Sequence, residues 1–251
     1  MNELVNKVAL VSGGARDIGR AVSLKLAAAG ASVLVNYFDN ANDAAETVRM
    51  IAEAGGKAVA VQADATKAGE IHKLVMKCRE AFGQEIHILV NVAGGLIGRK
   101  KMDEMDEGFW DAVMNVNLKS AFLVTKAVLP FMPNGGSIIN FSSQAARDGG
   151  GFGAIAYATA KGGVLTFTRG LAKELGPRKI RVNCVSPGMI NTTFHNTFTK
   201  PEVRQKVAAM TPLGREGEAT EVAELVLFLA SERSAFINGE SVEINGGTYF
   251  V

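Results

Sequence analysis

Apolar positions along the chain follow two alternating rhythms. Short aliphatic or β-branched runs at Val8–Val11, Ser32–Val35, Ala58–Val61, Ile86–Val90, Ser137–Phe141, Ile180–Val185 and Ser241–Ile244 read as strands. The segments between them carry apolar residues at helical spacing over 18–29, 41–54, 67–82, 106–131, 155–176 and 219–231, with a shorter stretch over 200–209. The strand runs are near-continuously apolar, as in parallel strands covered on both faces. The pattern predicts an α/β fold: a doubly wound, seven-stranded parallel sheet with helices on both faces. No proline- or serine-rich linker, charge block or repeat divides residues 1–251, so a single domain is expected.

Composition narrows the function classes. With 47% apolar and 21% charged residues, the chain can bury enough surface to offset its ordering entropy, which excludes a disordered protein. Lys plus Arg number 27 against 25 Asp plus Glu, a balance too even for affinity built on neutralising many phosphates, so no nucleic-acid partner is expected. The two cysteines, Cys78 and Cys184, lie far apart with no C-x-x-C or Cys/His spacing, which suggests neither a disulfide framework nor a metal site. No run reaches the ~18 apolar residues of a membrane span, and Met1-Asn2-Glu3-Leu4 is acidic with no cleavage pattern after it. The expected setting is cytoplasmic.

In doubly wound folds ligands bind beyond the carboxyl ends of the strands, so the chemistry should lie in the loops that follow each run. Ser12-Gly13-Gly14-Ala15-Arg16-Asp17-Ile18-Gly19 joins the first strand to the first helix, where glycines let the backbone approach a phosphate at a helix N-terminus. Its spacing is not G-x-G-x-x-G, and a simple chain-reversing turn explains it equally well. Tyr157 and Lys161 stand four apart inside a predicted helix and therefore share a face. Alone, that pair reads more readily as a half-buried Tyr beside a solvated Lys. Ser142-Ser143 closes the fifth strand fourteen residues before Tyr157, Asn91-Val92-Ala93-Gly94 closes the fourth, and Asn117 falls in the long helix that follows. Pro187-Gly188-Met189-Ile190-Asn191-Thr192 follows the sixth.

Taken together and in this order, these motifs resemble the short-chain dehydrogenase/reductase family over essentially the whole chain. The glycine loop resembles T-G-x-x-x-G-x-G with Ser12 for Thr and Asp17 for the middle glycine; Val92 replaces the second Asn of N-N-A-G. The resemblance implies a Rossmann-type fold and hydride transfer between a nicotinamide and a carbonyl/alcohol carbon by a tetrad of Asn117, Ser143, Tyr157 and Lys161. Tyr157 is the implied proton donor, Lys161 the cation that eases its ionisation and bonds the nicotinamide ribose, Ser143 the holder of the substrate oxygen and Asn117 the anchor of a relaying water. Cofactor contacts are implied for Gly13, Arg16, Asp17, Ile18, Gly19, Asn36, Tyr37, Asp64, Ala65, Asn91, Ala93, Gly94, Pro187, Gly188, Ile190 and Thr192. Asp17 is expected to turn away from the phosphates and cap the first helix.

NAD-preferring members usually carry an Asp just beyond the second strand, where this chain has Asn36-Tyr37, with Asp39 read as a surface charge or helix cap. Arg16 sits where NADP-preferring members often carry a base, and a guanidinium can grip a 2′-phosphate. NADP(H) is therefore favoured, with NAD(H) open. Within the family the chain is most similar to 3-oxoacyl-carrier-protein reductases, but Phe131-Met132-Pro133-Asn134-Gly135-Gly136 stands where those carry carrier-docking bases, and Arg178-Lys179 supplies only part of such a patch. Arg99-Lys100-Lys101, with His195, reads more readily as a solvated cluster of loop charges for any single residue in it, or else as the attractor of a small polar or anionic ketone: a keto acid, sugar or uronate-derived ketone. The acyl-carrier reading is the alternative, and a catalytically silent nicotinamide sensor is a remote one. Helix 106–131 is apolar around much of its circumference and the tail ends Tyr249-Phe250-Val251. Either subunit burial or internal packing accounts for both, and the family's habit points to a homotetramer.

Overall fold

A computed structural model describes residues 3–251; Met1 and Asn2, which begin the acidic N-terminal stretch, lie outside the described residues. Three βα units come first: β1 (Val8–Ser12) with α1 (Asp17–Ala28), β2 (Ser32–Tyr37) with α2 (Ala41–Glu53), and β3 (Lys57–Gln62) with α3 (Ala68–Phe82). After β4 (Ile88–Asn91) come α4 (Glu107–Met114) and α5 (Ser120–Val128), then β5 (Ser137–Phe141), the one-turn α6 (Ala145–Asp148) and the long α7 (Ile155–Leu175). The last third holds β6 (Arg181–Pro187), β7 (Ile190–Asn191), α8 (Thr193–Phe198), α9 (Pro201–Met210), β8 (Gly217–Glu218), α10 (Ala219–Ala230) and β9 (Ser241–Ile244).

The main sheet has seven parallel strands, as the run pattern predicts, and the structure gives their order as β3-β2-β1-β4-β5-β6-β9. The chain winds outward from β1 in one direction and from β4 in the other. A crevice therefore opens at the carboxyl ends of β1 and β4, where Ser12 pairs in register with Asn91. The central strands β1, β4 and β5 are buried throughout, whereas edge strand β3 alternates with exposed positions. Side chains on successive strand residues point to opposite faces. Ala9 and Val11 of β1 thus join Val22, Leu26 and Val226 of α1 and α10, and Val8 and Leu10 join Leu74, Val124 and Leu175 of α3, α5 and α7.

Three features depart from the sequence reading. The helix predicted over 106–131 is interrupted by a π turn at Asn115–Lys119, and its end tightens into a 3₁₀ turn at Leu129–Phe131. Its cap is Asp106, whose carboxylate accepts from the Phe109 N–H at 2.7 Å. Helix α2 is capped by Asn40, not Asp39, with Oδ1 accepting from the Asp43 N–H at 3.1 Å. The two-residue ladder of β7 with β8 and the helix α8 lie where no periodic signal was read. Among the described residues, the stretch Glu107–Phe131 alone has the length and apolarity to cross a membrane, and here it packs on α3, β4 and α7.

Candidate active site

Bare backbone forms the floor of the crevice. A Cβ at Gly19 would lie 1.9 Å from the Gly13 carbonyl oxygen, and one at Gly13 would lie 2.9 Å from the Ala93 nitrogen. No side chain fits at Gly19 without moving the loop, and Gly13 has φ +71, in the left-handed region that glycine tolerates. The loop is held by Asn36, buried at the end of β2: its Oδ1 accepts from the Gly13 N–H at 3.3 Å, and its Nδ2 donates to the carbonyls of Tyr37, Val61 and Ala63. Asn36 lines the cleft, but its amide is committed to joining the loop to β2 and β3.

The resulting cavity holds about 880 Å³ and runs from the glycine loop to α9. Gly13, Arg16, Asp17, Ile18, Gly19, Tyr37, Asp64, Ala65, Ala93, Gly94, Pro187, Gly188, Ile190 and Thr192 all line it. A bare-backbone cradle at a helix N-terminus, opening into a long cleft, fits a dinucleotide. Asp64 uses Oδ1 to accept from the N–H and hydroxyl of Thr66, at 2.8 and 2.7 Å. The Thr192 hydroxyl donates to the Ile190 carbonyl at 3.1 Å. The Arg16 side chain is 61% exposed and, among the described residues, its one ion-pair partner is Asp17, at 4.0 Å, so its guanidinium is open to a ligand.

Asn91 is a correction to the implied contacts. It is buried away from the cleft, and its Nδ2 donates to the Thr125 hydroxyl (3.1 Å) and to Asn140 Oδ1 (2.9 Å). Asn140 in turn donates to the Thr168 hydroxyl at 3.0 Å. This chain of buried amides and hydroxyls fixes β4, β5, α5 and α7 in one register, which orients the helix that bears Tyr157 and Lys161.

Ser143, Tyr157 and Lys161 come together on the cleft wall. Lys161 is buried, with Nζ donating to the Phe141 carbonyl at 2.8 Å and lying 5.7 Å from the Tyr157 ring centre. Burial pushes its pKa down to about 8, with the Cys184 thiol pulling slightly the other way. Burial of Tyr157 raises its pKa, partly offset by the neighbouring Ser143 hydroxyl. The phenol therefore keeps its proton at neutral pH beside a lysine that is still mostly charged. The Ser142 hydroxyl donates to the Lys161 carbonyl at 2.8 Å and anchors α7 to the end of β5.

Asn117 stands behind this group, not on the cleft wall. The π turn swings it onto the loop after β4, where Oδ1 accepts from the Gly95 N–H at 3.0 Å and Nδ2 donates to the carbonyls of Gly95 (2.8 Å) and Val113 (3.0 Å). A Cβ at Gly94 would lie 2.8 Å from Asn117 Oδ1 and 3.1 Å from Lys161 Nζ, so these two side chains meet across Gly94. Both N–H groups of the Asn117 amide are thus taken up by backbone carbonyls, so a water held here would be held by an acceptor.

The cationic run disperses. Lys100 donates to Asp106 at 2.7 Å and lies over the Phe109 ring, and Lys101 pairs with Glu104 at 3.6 Å. Lys100 is thus turned out of the cleft by a carboxylate six residues on. Arg99 remains on the wall, donating to the carbonyls of Phe152 (3.0 Å) and Phe198 (3.4 Å). His195 also lines the cleft, with Nδ1 3.0 Å from the Thr199 hydroxyl. Burial lowers its pKa, reinforced by Arg204 and Arg99 against the opposing Glu216, so it is neutral at physiological pH. Nor does Asp17 cap α1: the cap position, Arg16, makes no side-chain cap bond, and Asp17 reaches across to Thr193.

The sequence reading missed the roof. Phe194 and Phe198 of α8 stack in a tilted pair at 5.3 Å, and Phe194 lies 6.1 Å from Tyr157. Leu96, Val203 and Val207 continue that apolar wall. Their i, i+4 spacing is the only trace the two Phe leave in so short a helix. Arg204 fixes the roof by bonding Glu216, Asn191 and Asn196.

Residues 13–249 match the family model described as enoyl-(acyl carrier protein) reductase. The chain is 40% identical over 257 residues to a (3R)-3-hydroxyacyl-CoA dehydrogenase of Mus musculus, covering 98% of this chain and 97% of that one. It is 39% identical to a 3-oxoacyl-[acyl-carrier-protein] reductase of Synechocystis, covering 98% of both. Among solved structures, a short-chain dehydrogenase/reductase from Serratia marcescens superposes with TM-score 0.92 at 34% identity, over 98% of this chain and 99% of that one. A blue fluorescent protein from a metagenomic library, in complex with NADPH, superposes with TM-score 0.92 at 32% identity, over 99% and 100%.

Proposed function

The chain belongs to the short-chain dehydrogenase/reductase family and is a nicotinamide-dependent oxidoreductase acting on a carbonyl or hydroxyl carbon, and from that premise we propose that it reduces a 3-oxoacyl thioester with NADPH. The observation that carries the substrate class is the wall beside Tyr157: Leu96, Phe194, Phe198, Val203 and Val207 offer an acyl chain apolar contact, while Lys100 and Lys101 are paired elsewhere. The names of the mouse and Synechocystis relatives support it. The Phe131–Gly136 segment does not oppose it. It precedes β5, at the amino ends of the strands and so at the opposite end of the sheet from the cleft, and there Arg178 is taken up by the Leu129 and Met132 carbonyls. A small anionic ketone keeps one observation in its favour, Arg99 on the cleft wall.

When bound, the nicotinamide supplies a hydride to the carbonyl carbon. Gly13 to Gly19 would cradle its pyrophosphate, Thr192 and the Ile190 backbone would hold its carboxamide, and Arg16 would meet a 2′-phosphate. Tyr157 and Ser143 hydrogen-bond the substrate oxygen, and Tyr157 gives up its proton as alkoxide charge develops. Lys161 stabilises the charge left on the phenolate and would also bond the ribose of the bound nucleotide. Asn117 keeps Gly95 and the β4 loop in place beneath Lys161.

The substrate reading is tested by kcat/KM for a 3-oxoacyl thioester and for a free keto acid, in wild type and Arg99→Ala. The thioester is expected to lead by roughly tenfold or more, with little change in the variant. A preference for the keto acid that Arg99→Ala removes would restore the anionic ketone. Arg16→Ala is expected to weaken NADPH binding by roughly tenfold and to leave NADH unchanged, as read by cofactor fluorescence. Equal losses would reduce Arg16 to shaping the loop. A cytoplasmic homotetramer completes the reading, supported by free, buried Cys78 and Cys184 and by apolar side chains left in solvent, Phe122 (44% exposed) and Phe250 (81%) among them. Sedimentation as a monomer at micromolar concentration contradicts that assembly.

A further inference from the structure

Asp17 occupies the position where the family's loop pattern has its middle glycine, and its backbone keeps a glycine-like conformation, with φ +51 in the left-handed region. Its carboxylate stands at the first turn of α1, where the helix dipole favours negative charge and where a pyrophosphate is also expected. A free carboxylate there would repel the phosphates. Instead, Oδ1 accepts from the Thr193 N–H at 2.9 Å and Oδ2 from the Thr193 hydroxyl, 176 residues away in sequence. Thr193 is the first residue of α8, the helix that carries Phe194, His195 and Phe198 over the substrate end. Both Asp17 and Thr193 line the same cavity, so the bonds join its two walls.

We propose that the Asp17–Thr193 bridge is a strap across the cofactor cleft: it holds the α8 roof against the glycine loop and slows departure of the bound dinucleotide. Asp17 is thus a positioning residue. Both ends belong to the cofactor machinery, since Thr192 precedes Thr193 and Gly19 follows Asp17 by two. The tether is local to the entry of α8, because the far side of the roof is held separately by Arg204 with Glu216. Opening the strap should therefore loosen α8 without unfolding the domain. The inference rests on nicotinamide binding and not on the acyl-thioester reading.

The test uses Asp17→Gly, which restores a residue that suits this φ, together with Thr193→Val and the double variant. Stopped-flow displacement of bound NADPH, and separately of NADH, reads the dissociation rate. Hydrogen exchange over 193–198 in the cofactor-free protein reads the tether without any substrate or turnover. Each single variant is expected to raise the dissociation rates of both dinucleotides, by roughly tenfold for Asp17→Gly and less for Thr193→Val, which keeps its N–H. Exchange over 193–198 should quicken in both, and the double variant should add little to Asp17→Gly. Unchanged exchange, multiplying effects in the double variant, or slower NADPH release from Asp17→Gly would overturn the proposal; the last would show that Asp17 acts only by repelling phosphate.

Discussion

Tyr157→Phe is expected to lower kcat for ketone reduction by roughly 10² to 10⁴, the range that a positioned general acid contributes. The ring makes its contact with Phe194 through carbon atoms, and Phe keeps that packing. The lost hydroxyl is the group whose pKa burial raises, so it is the neutral phenol, able to donate at neutral pH, that disappears. NADPH binding should hardly change, because the cradle at Gly13 to Gly19 and the Lys161 ammonium remain. Stopped-flow reduction beside a fluorescence titration separates the two quantities. Equal turnover in the variant would exclude Tyr157 as the proton donor, and a matching collapse in NADPH affinity would assign its effect to folding of the site.

Lys161→Ala should strike both quantities: kcat falls because the phenolate loses its neighbouring cation, and NADPH affinity falls because the ribose loses a donor. A truncation to Ala also leaves the Phe141 carbonyl, now bonded to Nζ at 2.8 Å, without its partner. Lys161→Met, which fills the same space, separates the lost charge from the cavity. The pH profile gives a signature that packing alone would not. Burial places the Lys161 pKa at about 8 instead of the usual lysine value, so the ammonium is present below that pH and is lost as pH rises through it. Reductive kcat in wild type should decline over that range, and neither variant should show that limb. A wild-type profile flat through the same range would contradict the role given to the charge.

Strand positions and the parallel sheet were legible because they rest on local signals, continuous apolar runs separated by helical periods, whereas Ser143, Tyr157 and Lys161 were legible only through the order of motifs that resembles the family, since the i, i+4 pair alone reads more readily as packing. Asn117 was legible as a residue but not in its action. The π turn at Asn115–Lys119, which packs against α4, α5 and α7, carries its amide to Gly95, and no periodicity in residues 106–131 marks that turn. Arg99-Lys100-Lys101 was legible as a run but not in how it divides, since three adjacent cations look alike until their partners are placed: Asp106 and Glu104 take the lysines, and Arg99 stays on the cleft wall. Motif position put Asn91 on the cofactor and made Asp17 the cap of α1. Their true partners, Asn140 and Thr193, are 49 and 176 residues away. Long-range polar pairing of that kind leaves no sequence period to read.

The central claim is that this site delivers a hydride to a carbonyl carbon and a proton from Tyr157 to its oxygen. Turnover with NADPH deuterated at its transferable position, in the presence of a 3-oxoacyl thioester and, separately, the corresponding 2-enoyl thioester, tests it most directly by mass spectrometry of the products. The account predicts one deuterium on the carbinol carbon of a 3-hydroxyacyl product and no reduction of the enoyl compound. Deuterium delivered to the enoyl chain, with the 3-oxo compound untouched, would contradict it.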